Sequence, residues 1–145
     1  MTVPTEASFR IIPRITDANR HFWQGGERGE LVFLRCRACG VYVHPPSPIC
    51  PVDHGKDLHP EAVSGRGTVA TFTVNHQPWI AGMALPYVIA FVEIEEQANV
   101  RVQTNIVDCD PGDVRIGLPV EVVFEHHPDP DGDVWVPLFR PRRDG

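Results

Sequence analysis

From Gly67 onward the chain is written in short runs whose apolar and polar positions alternate. "GTVATFTVNHQ" and "NVRVQTNIVD" alternate cleanly, and "YVIAFVEIE" between them is apolar and β-branched. "PVEVVFEHH" and "DVWVPLF" complete five predicted strands, because a period of two is what a half-buried strand requires. Turn signals fall at Gln97–Asn99, Asp110–Asp113 and Asp129–Asp133.

Five short strands in so small a span predict an all-β, closed or partly closed barrel. The oligonucleotide/oligosaccharide-binding (OB) barrel is the commonest architecture of that kind. Upstream the pattern changes. Residues 1–15 read as an extended arm carrying Phe9, Ile11 and Ile12, with no element of its own and so expected to dock onto something. Thr16 is placed to cap a short helix through Ala18, Asn19, His21, Phe22 and Trp23, which Gly25 and Gly26 would end. "ELVFLRC" then runs into a hairpin and "VYVHPP" runs out of it. The predicted division is arm and helix over 1–30, a ribbon over 31–62 and the barrel over 63–145.

Composition sharpens this. A chain of 145 residues is one domain, or one with a small appendage, and can bury a core. Fifteen prolines and twelve glycines favour short strands over long helices. No apolar run approaches the roughly 18–20 residues that span a bilayer. "MTVPTEASFRIIPR" has no apolar stretch of the secretory kind, so a reducing cytoplasm is the expected setting. Net charge is -6, with lysines and arginines scattered apart from Arg140, Arg142 and Arg143. A protein that holds nucleic acid through its phosphates normally shows a basic face, so neither nucleic acid nor membrane is the expected partner.

The strongest chemical signal is "CRACGVYVHPPSPICPVDH". Cys36 and Cys39 have the spacing of a metal knuckle, and Cys50 opens a second one. Two such knuckles on adjacent hairpins close a tetrahedron around zinc. Asp53 stands where the fourth thiolate belongs, and a carboxylate oxygen is an acceptable zinc ligand. His54, one residue out of register, and a water molecule are the alternatives for that corner. A structural role is expected, since a small hairpin with a minimal core gains its stability from metal.

Other groupings carry less. Gly65-x-Gly67-x-x-Ala70 leads into a strand, whereas a dinucleotide fingerprint follows one and opens a helix. "HHPDPDGD" lacks the glycine and glutamate positions of a calcium loop and reads as a hairpin turn at Asp131-Gly132. Cys109 lies between Asp108 and Asp110, with no cation to activate it. His21 and His76 are isolated histidines, and Glu93, Glu95 and Glu96 read as a solvated strand end. "PWIAGMALPY" is unusually apolar for a connection; Trp79, Ile80, Met83 and Leu85 either cover the core or face a partner.

The order "FWQG", "CRACG…PPSPIC", "GRGTVATFTV", "PYVIAFVEI", "VRIGLPVEVVFE" and "FRP" resembles the rubredoxin-like zinc-ribbon plus OB-fold proteins known as domain of unknown function 35. The resemblance runs from about Thr16 to Pro141. It implies a small, non-catalytic subunit that accompanies a thiolase-like or ketosynthase-like large subunit, as in a heterotetramer. The large subunit would hold the coenzyme A thioester and the catalytic residues, for a retro-aldolase or thiolase step in steroid or lipid side-chain degradation. It implies structural zinc on Cys36, Cys39, Cys50 and position 53, where that family carries cysteine and this chain carries aspartate. It also implies an acidic-glycine pair after the second barrel strand, where this chain has "EEQAN". The alternative is a single-strand nucleic-acid binder, which needs Phe72, Phe91 or Trp135 exposed as stacking platforms.

Overall fold

The computed structural model describes residues 10–143 together with the backbone of Thr2 and Val3. Its strands are β1 (Thr2–Val3), β2 (Leu31–Cys36), β3 (Tyr42–Val43), β4 (Leu58–Val63), β5 (Arg66–Asn75), β6 (Tyr87–Ile94), β7 (Arg101–Ile106), β8 (Pro119–His127) and β9 (Val134–Pro141). Helix α1 (Arg20–Gln24) precedes β2. The order β3-β2-β4 forms a three-stranded antiparallel ribbon. The order β8-β5-β6-β7-β9 forms the barrel, closed by β8 against β9. The five strands expected from alternation are β5 to β9. Among the described residues no helix is long and apolar enough to cross a membrane.

Alternation explains the inside of the barrel. Val88, Ala90 and Val92 of β6 point inward, and so do Val102 and Ile106 of β7, Val120 and Phe124 of β8, and Phe139 of β9. The β9 run does not alternate, because both of its faces are covered. Val134, Val136 and Leu138, with Val123 of β8, form a second cluster roofed by Ile12, Ile15 and Trp23. The described part of the arm therefore docks on this chain's own barrel; Phe9 lies outside the described residues.

The helix differs from expectation. It begins at Arg20, and Thr16 does not cap it. Asn19 Oδ1 instead accepts the Thr16 N–H at 2.7 Å, and Asn19 Nδ2 donates to Arg14 O at 3.1 Å. Local side-chain bonds of this kind compete with helix and hold the preceding residues in a turn.

Two glycines set how closely elements approach. A Cβ at Gly67 would overlap Glu93 O across the β5–β6 ladder, and one at Gly26 would overlap the Phe124 ring and Trp135 Cβ. A carbonyl within a ladder cannot step aside. Gly67→Ala should therefore lower stability by about 1–3 kcal/mol, the usual cost of overpacking, read from the urea midpoint. An unchanged midpoint would contradict the close approach.

Ribbon and barrel share a joint. Phe33 of β2 is fully buried and stacks with Phe22 of α1 at 6.1 Å. The ring of His44 lies against both, 4.7 Å from Phe22 and 4.6 Å from Phe33. On the other side Gln97 clips the ribbon's edge: its Oε1 accepts the Tyr42 N–H at 2.9 Å and its Nε2 donates to Tyr42 O at 3.3 Å. This amide belongs to the "EEQAN" turn, so that departure from the family's turn has a structural use here.

Candidate metal centre

The two knuckles are built alike. Cys36 N–H donates to Val41 O at 2.9 Å and Gly40 N–H donates back to Cys36 O at 2.9 Å. Cys50 N–H donates to Gly55 O at 2.8 Å and His54 N–H donates back to Cys50 O at 2.9 Å. Gly40 has φ +82° and His54 has φ +61°, so both occupy the left-handed position that turns the chain. By this register Asp53 matches Cys39 and His54 matches Gly40. The backbone thus brings Asp53 to the sulfurs and leaves His54 outside their cluster.

Cys36, Cys39, Cys50 and Asp53 offer ligand atoms that all lie within 4.8 Å of one another. The Cys39 and Cys50 sulfurs are 3.6 Å apart, and Cys36 Sγ is 3.4 Å from Asp53 Oδ2. A tetrahedron with zinc–sulfur bonds of about 2.3 Å and a zinc–oxygen bond of about 2.0 Å has edges of roughly 3.8 and 3.5 Å. The residues therefore fit zinc. A separation of 3.6 Å is far from a disulfide, and the cysteines are free thiols.

Electrostatics agree with the geometry. The Asp53 N–H, helped by that of Val52, pulls the Cys50 thiol down against the cost of burial. The Gly55 N–H, 2.8 Å from Asp53 Oδ1, together with the Cys36 thiol, holds the Asp53 carboxyl below its ordinary range. Cys39 also gains from a backbone bond at Val41, but burial and the neighbouring sulfurs outweigh it and push its thiol up to about 11. Four acidic groups crowd one point, which is the environment a divalent cation relieves. Gly55 was not singled out by sequence; a Cβ there would stand 3.0 Å from Asp53 Oδ1, so its lack of a side chain makes room for the carboxylate.

Among the described residues no free acid–base centre stands beside this site. Glu125 and His127 are buried side by side on β8, with His127 Nε2 2.7 Å from Glu125 Oε1. The same oxygen accepts Arg10 Nε at 2.6 Å, and Arg10 Nη1 donates to Asn105 Oδ1 at 3.0 Å. The cluster ties the arm across β7 and β8. His76 is exposed in a loop, and His21 is half-buried, its basicity lowered by burial. Burial raises the Cys109 thiol, with the neighbouring aspartates acting in the same direction, so it is not an activated nucleophile. The acidic turn closes on itself: Asp129 Oδ1 accepts the Asp131 N–H at 2.8 Å and Asp133 Oδ1 accepts the Asp129 N–H at 3.2 Å.

Burial, reinforced by His21, holds the His44 imidazole down at about 4. It is folded in as the neutral base, so the unfolded chain binds the extra proton as pH falls below 6.5. The difference is about 3 kcal/mol of stability, fully present above pH 6.5 and lost progressively toward pH 4. At equal zinc loading, His44→Phe should flatten this acid limb of the urea midpoint; an equally steep limb would contradict the assignment.

A groove of about 710 Å³ lies beside the ribbon, over the outward face of β6 and β7. Its walls include Ile11 and Trp23, the ribbon's His44, Pro45 and Pro46, and Met83 of the 76–86 loop. The loop does not cover the core: Trp79 is 73% exposed. Of the three proposed stacking rings only Phe91 is exposed. Phe72 packs on the barrel core, and Trp135 lies under His126, 4.6 Å away.

Comparison with known proteins bears on both ribbon and barrel. Residues 23–59 match the model of the ChsH2 rubredoxin-like zinc ribbon domain, and residues 60–125 match that of the ChsH2 C-terminal OB-fold domain. A DUF35 domain-containing scaffold protein of Methanocaldococcus jannaschii is 43% identical over 109 residues, covering 74% of this chain and 75% of the relative. The chain belongs to the DUF35 family. This DUF35 chain is also 39% identical over 116 residues to the 3-oxo-4,17-pregnadiene-20-carboxyl-CoA hydratase alpha subunit of Mycobacterium tuberculosis, covering 80% of this chain and 36% of that subunit. It spans about two-fifths of the length of the hydratase alpha subunits it matches. Among solved structures, a chain of the Ltp2-ChsH2(DUF35) aldolase superposes with a TM-score of 0.77 at 34% identity, covering 90% of this chain and 98% of that one.

Proposed function

We propose that this chain is the non-catalytic accessory subunit of a thiolase-like acyl-CoA enzyme, a retro-aldolase or thiolase acting in steroid or lipid side-chain degradation. The observation that carries the reading is the match to a chain of the Ltp2-ChsH2(DUF35) aldolase, along 98% of that chain. The absence of a free acid–base constellation among the described residues agrees with it. In this reading the chain is organised as an arm and helix over 1–30, a ribbon over 31–62 and a barrel over 63–145. The large subunit binds the coenzyme A thioester and supplies the base and oxyanion site, and the two kinds of subunit form a heterotetramer in the cytoplasm.

Zinc is held by Cys36, Cys39, Cys50 and Asp53, and supplies a cross-link between two hairpins rather than a reaction centre. Asp53→Ala should lower zinc affinity by more than the roughly 10–100-fold that loss of an outer-shell partner costs, measured by chelator competition. Zinc retained at wild-type affinity would assign the fourth corner to His54 or water. The functional reading is tested by co-expression with a thiolase-like protein of the same organism. Co-purification, with acyl-CoA turnover only in the complex, is expected. A monomer that turns over an acyl-CoA by itself overturns it.

A further inference from the structure

We infer that the outward face of β6 and β7, with the 76–86 loop, is where the large subunit docks, and that it receives an apolar, uncharged patch of that protein. The inference rests on the accessory-subunit reading and names the surface it needs. Seven large hydrophobic residues are exposed among the described residues. Ile11 and Phe91 line the groove over β6 and β7, and Trp79 and Leu85 belong to the loop that contributes Met83 to its wall. Four of the seven thus gather on one side. Ile49 and Val52 flank the second knuckle, and Ile116 stands in the β7–β8 connection.

Trp79 is built as an anchor. Its indole N–H donates to Asn75 Oδ1 at 2.9 Å, and Asn75 Nδ2 donates to Gln77 O at 2.8 Å. The polar edge is satisfied inside the chain, while 73% of the residue faces outward. An aromatic ring already held in place loses little freedom on binding, the property that makes such rings dominate protein interfaces.

Charge selects the partner. The groove's arginines are occupied, Arg101 by Glu93 at 3.3 Å and Arg10 by Glu125 at 2.6 Å. The face therefore offers an apolar protein surface good contact and a phosphate chain little. OB barrels bind oligonucleotides and oligosaccharides on the face of their second and third strands and on the loops after the first and fourth. In this chain those are β6, β7, residues 76–86 and residues 128–133, and the groove draws on the first three. The outer face of β8 and β9 is already taken by Ile12, Ile15 and Trp23.

The test compares wild type, Trp79→Ser/Phe91→Ser and the control Ile116→Ser, each co-expressed with a thiolase-like protein of the same organism. Wild type and control should bind equally, and the double variant at least about 100-fold more weakly, with zinc content and urea midpoint unchanged. Hydrogen exchange of the wild-type complex gives a second readout that needs no variant. Protection gained across 79–91 supports the surface, and unchanged exchange there overturns it. A double variant that binds within threefold of wild type also overturns the surface, while the accessory reading stands. Wild type that fails to bind the thiolase-like protein overturns both. A fluorescent oligo(dT) bound by wild type and lost in the double variant would make the face a nucleic-acid platform and overturn the inference.

Discussion

Stripping zinc with a strong chelator should release the two knuckles, residues 37–41 and 47–57, while residues 42–46 and β5 to β9 stay protected. Within 37–57 only Val43 and Cys50 are buried, so that stretch has almost no apolar core of its own. Residues 42–46 are held independently of the metal, by pairing with β2, by Gln97 and by the His44 ring on Phe22 and Phe33. Each knuckle, by contrast, closes on two backbone bonds, at Cys36 and Gly40 and at Cys50 and His54. Zinc binding is worth about 10–16 kcal/mol in small zinc modules at pH 7, more than such a segment retains without it. The first half of the ribbon is different. Leu31 and Phe33 belong to the main core with Phe22, so β2 should fray from its Cys36 end rather than detach. Hydrogen exchange before and after chelation measures this. Unchanged protection across 37–41 and 47–57 would show that the knuckles hold without metal, and Cys50→Ser should reproduce the chelated pattern.

The second large effect is expected at Arg10. Glu125 is 3% exposed, and its Oε1 atom is shared by Arg10 and His127. Removing one partner from a buried ion pair leaves a charge that neither water nor protein compensates, at a cost of about 3–5 kcal/mol. Arg10→Ala should fall near the lower end, because the arginine side chain keeps 24% exposure and His127 still faces the carboxylate. The variant should also free the arm, since Arg10 reaches both Glu125 on β8 and Asn105 on β7. Urea denaturation of Arg10→Met, Glu125→Leu and the double variant forms the cycle. The double variant should recover much of the loss; singles within about 0.5 kcal/mol of wild type would sink the account, as surface substitutions behave that way.

The legible parts of this protein were those written over short distances. Alternating and β-branched runs between Gly67 and Phe139 gave the barrel, because side chains two apart share a face whatever lies around them. Three cysteines at knuckle spacing gave the metal site. Less was visible wherever a partner came from afar. Gln97 meets Tyr42 across 55 residues, and Arg10 meets Glu125 across 115. No local pattern announces such pairs. The helix begins at Arg20, four residues beyond Thr16, because Asn19 ties back to Thr16 N–H and Arg14 O and holds the residues between in a turn, which a capping rule read along the chain does not foresee.

By itself, then, the amino-acid sequence determined the five-stranded barrel, the ribbon ahead of it and the residue types at the metal corner. Tertiary structure places the Asp53 carboxylate within the sulfur cluster and His54 at the left-handed turn outside it, a backbone property of the closed knuckle. It also decided that the arm covers β8 and β9, so that β6, β7 and Trp79 are the apolar surface left open. Periodicity says which residues share a face. Only packing says which face is already covered.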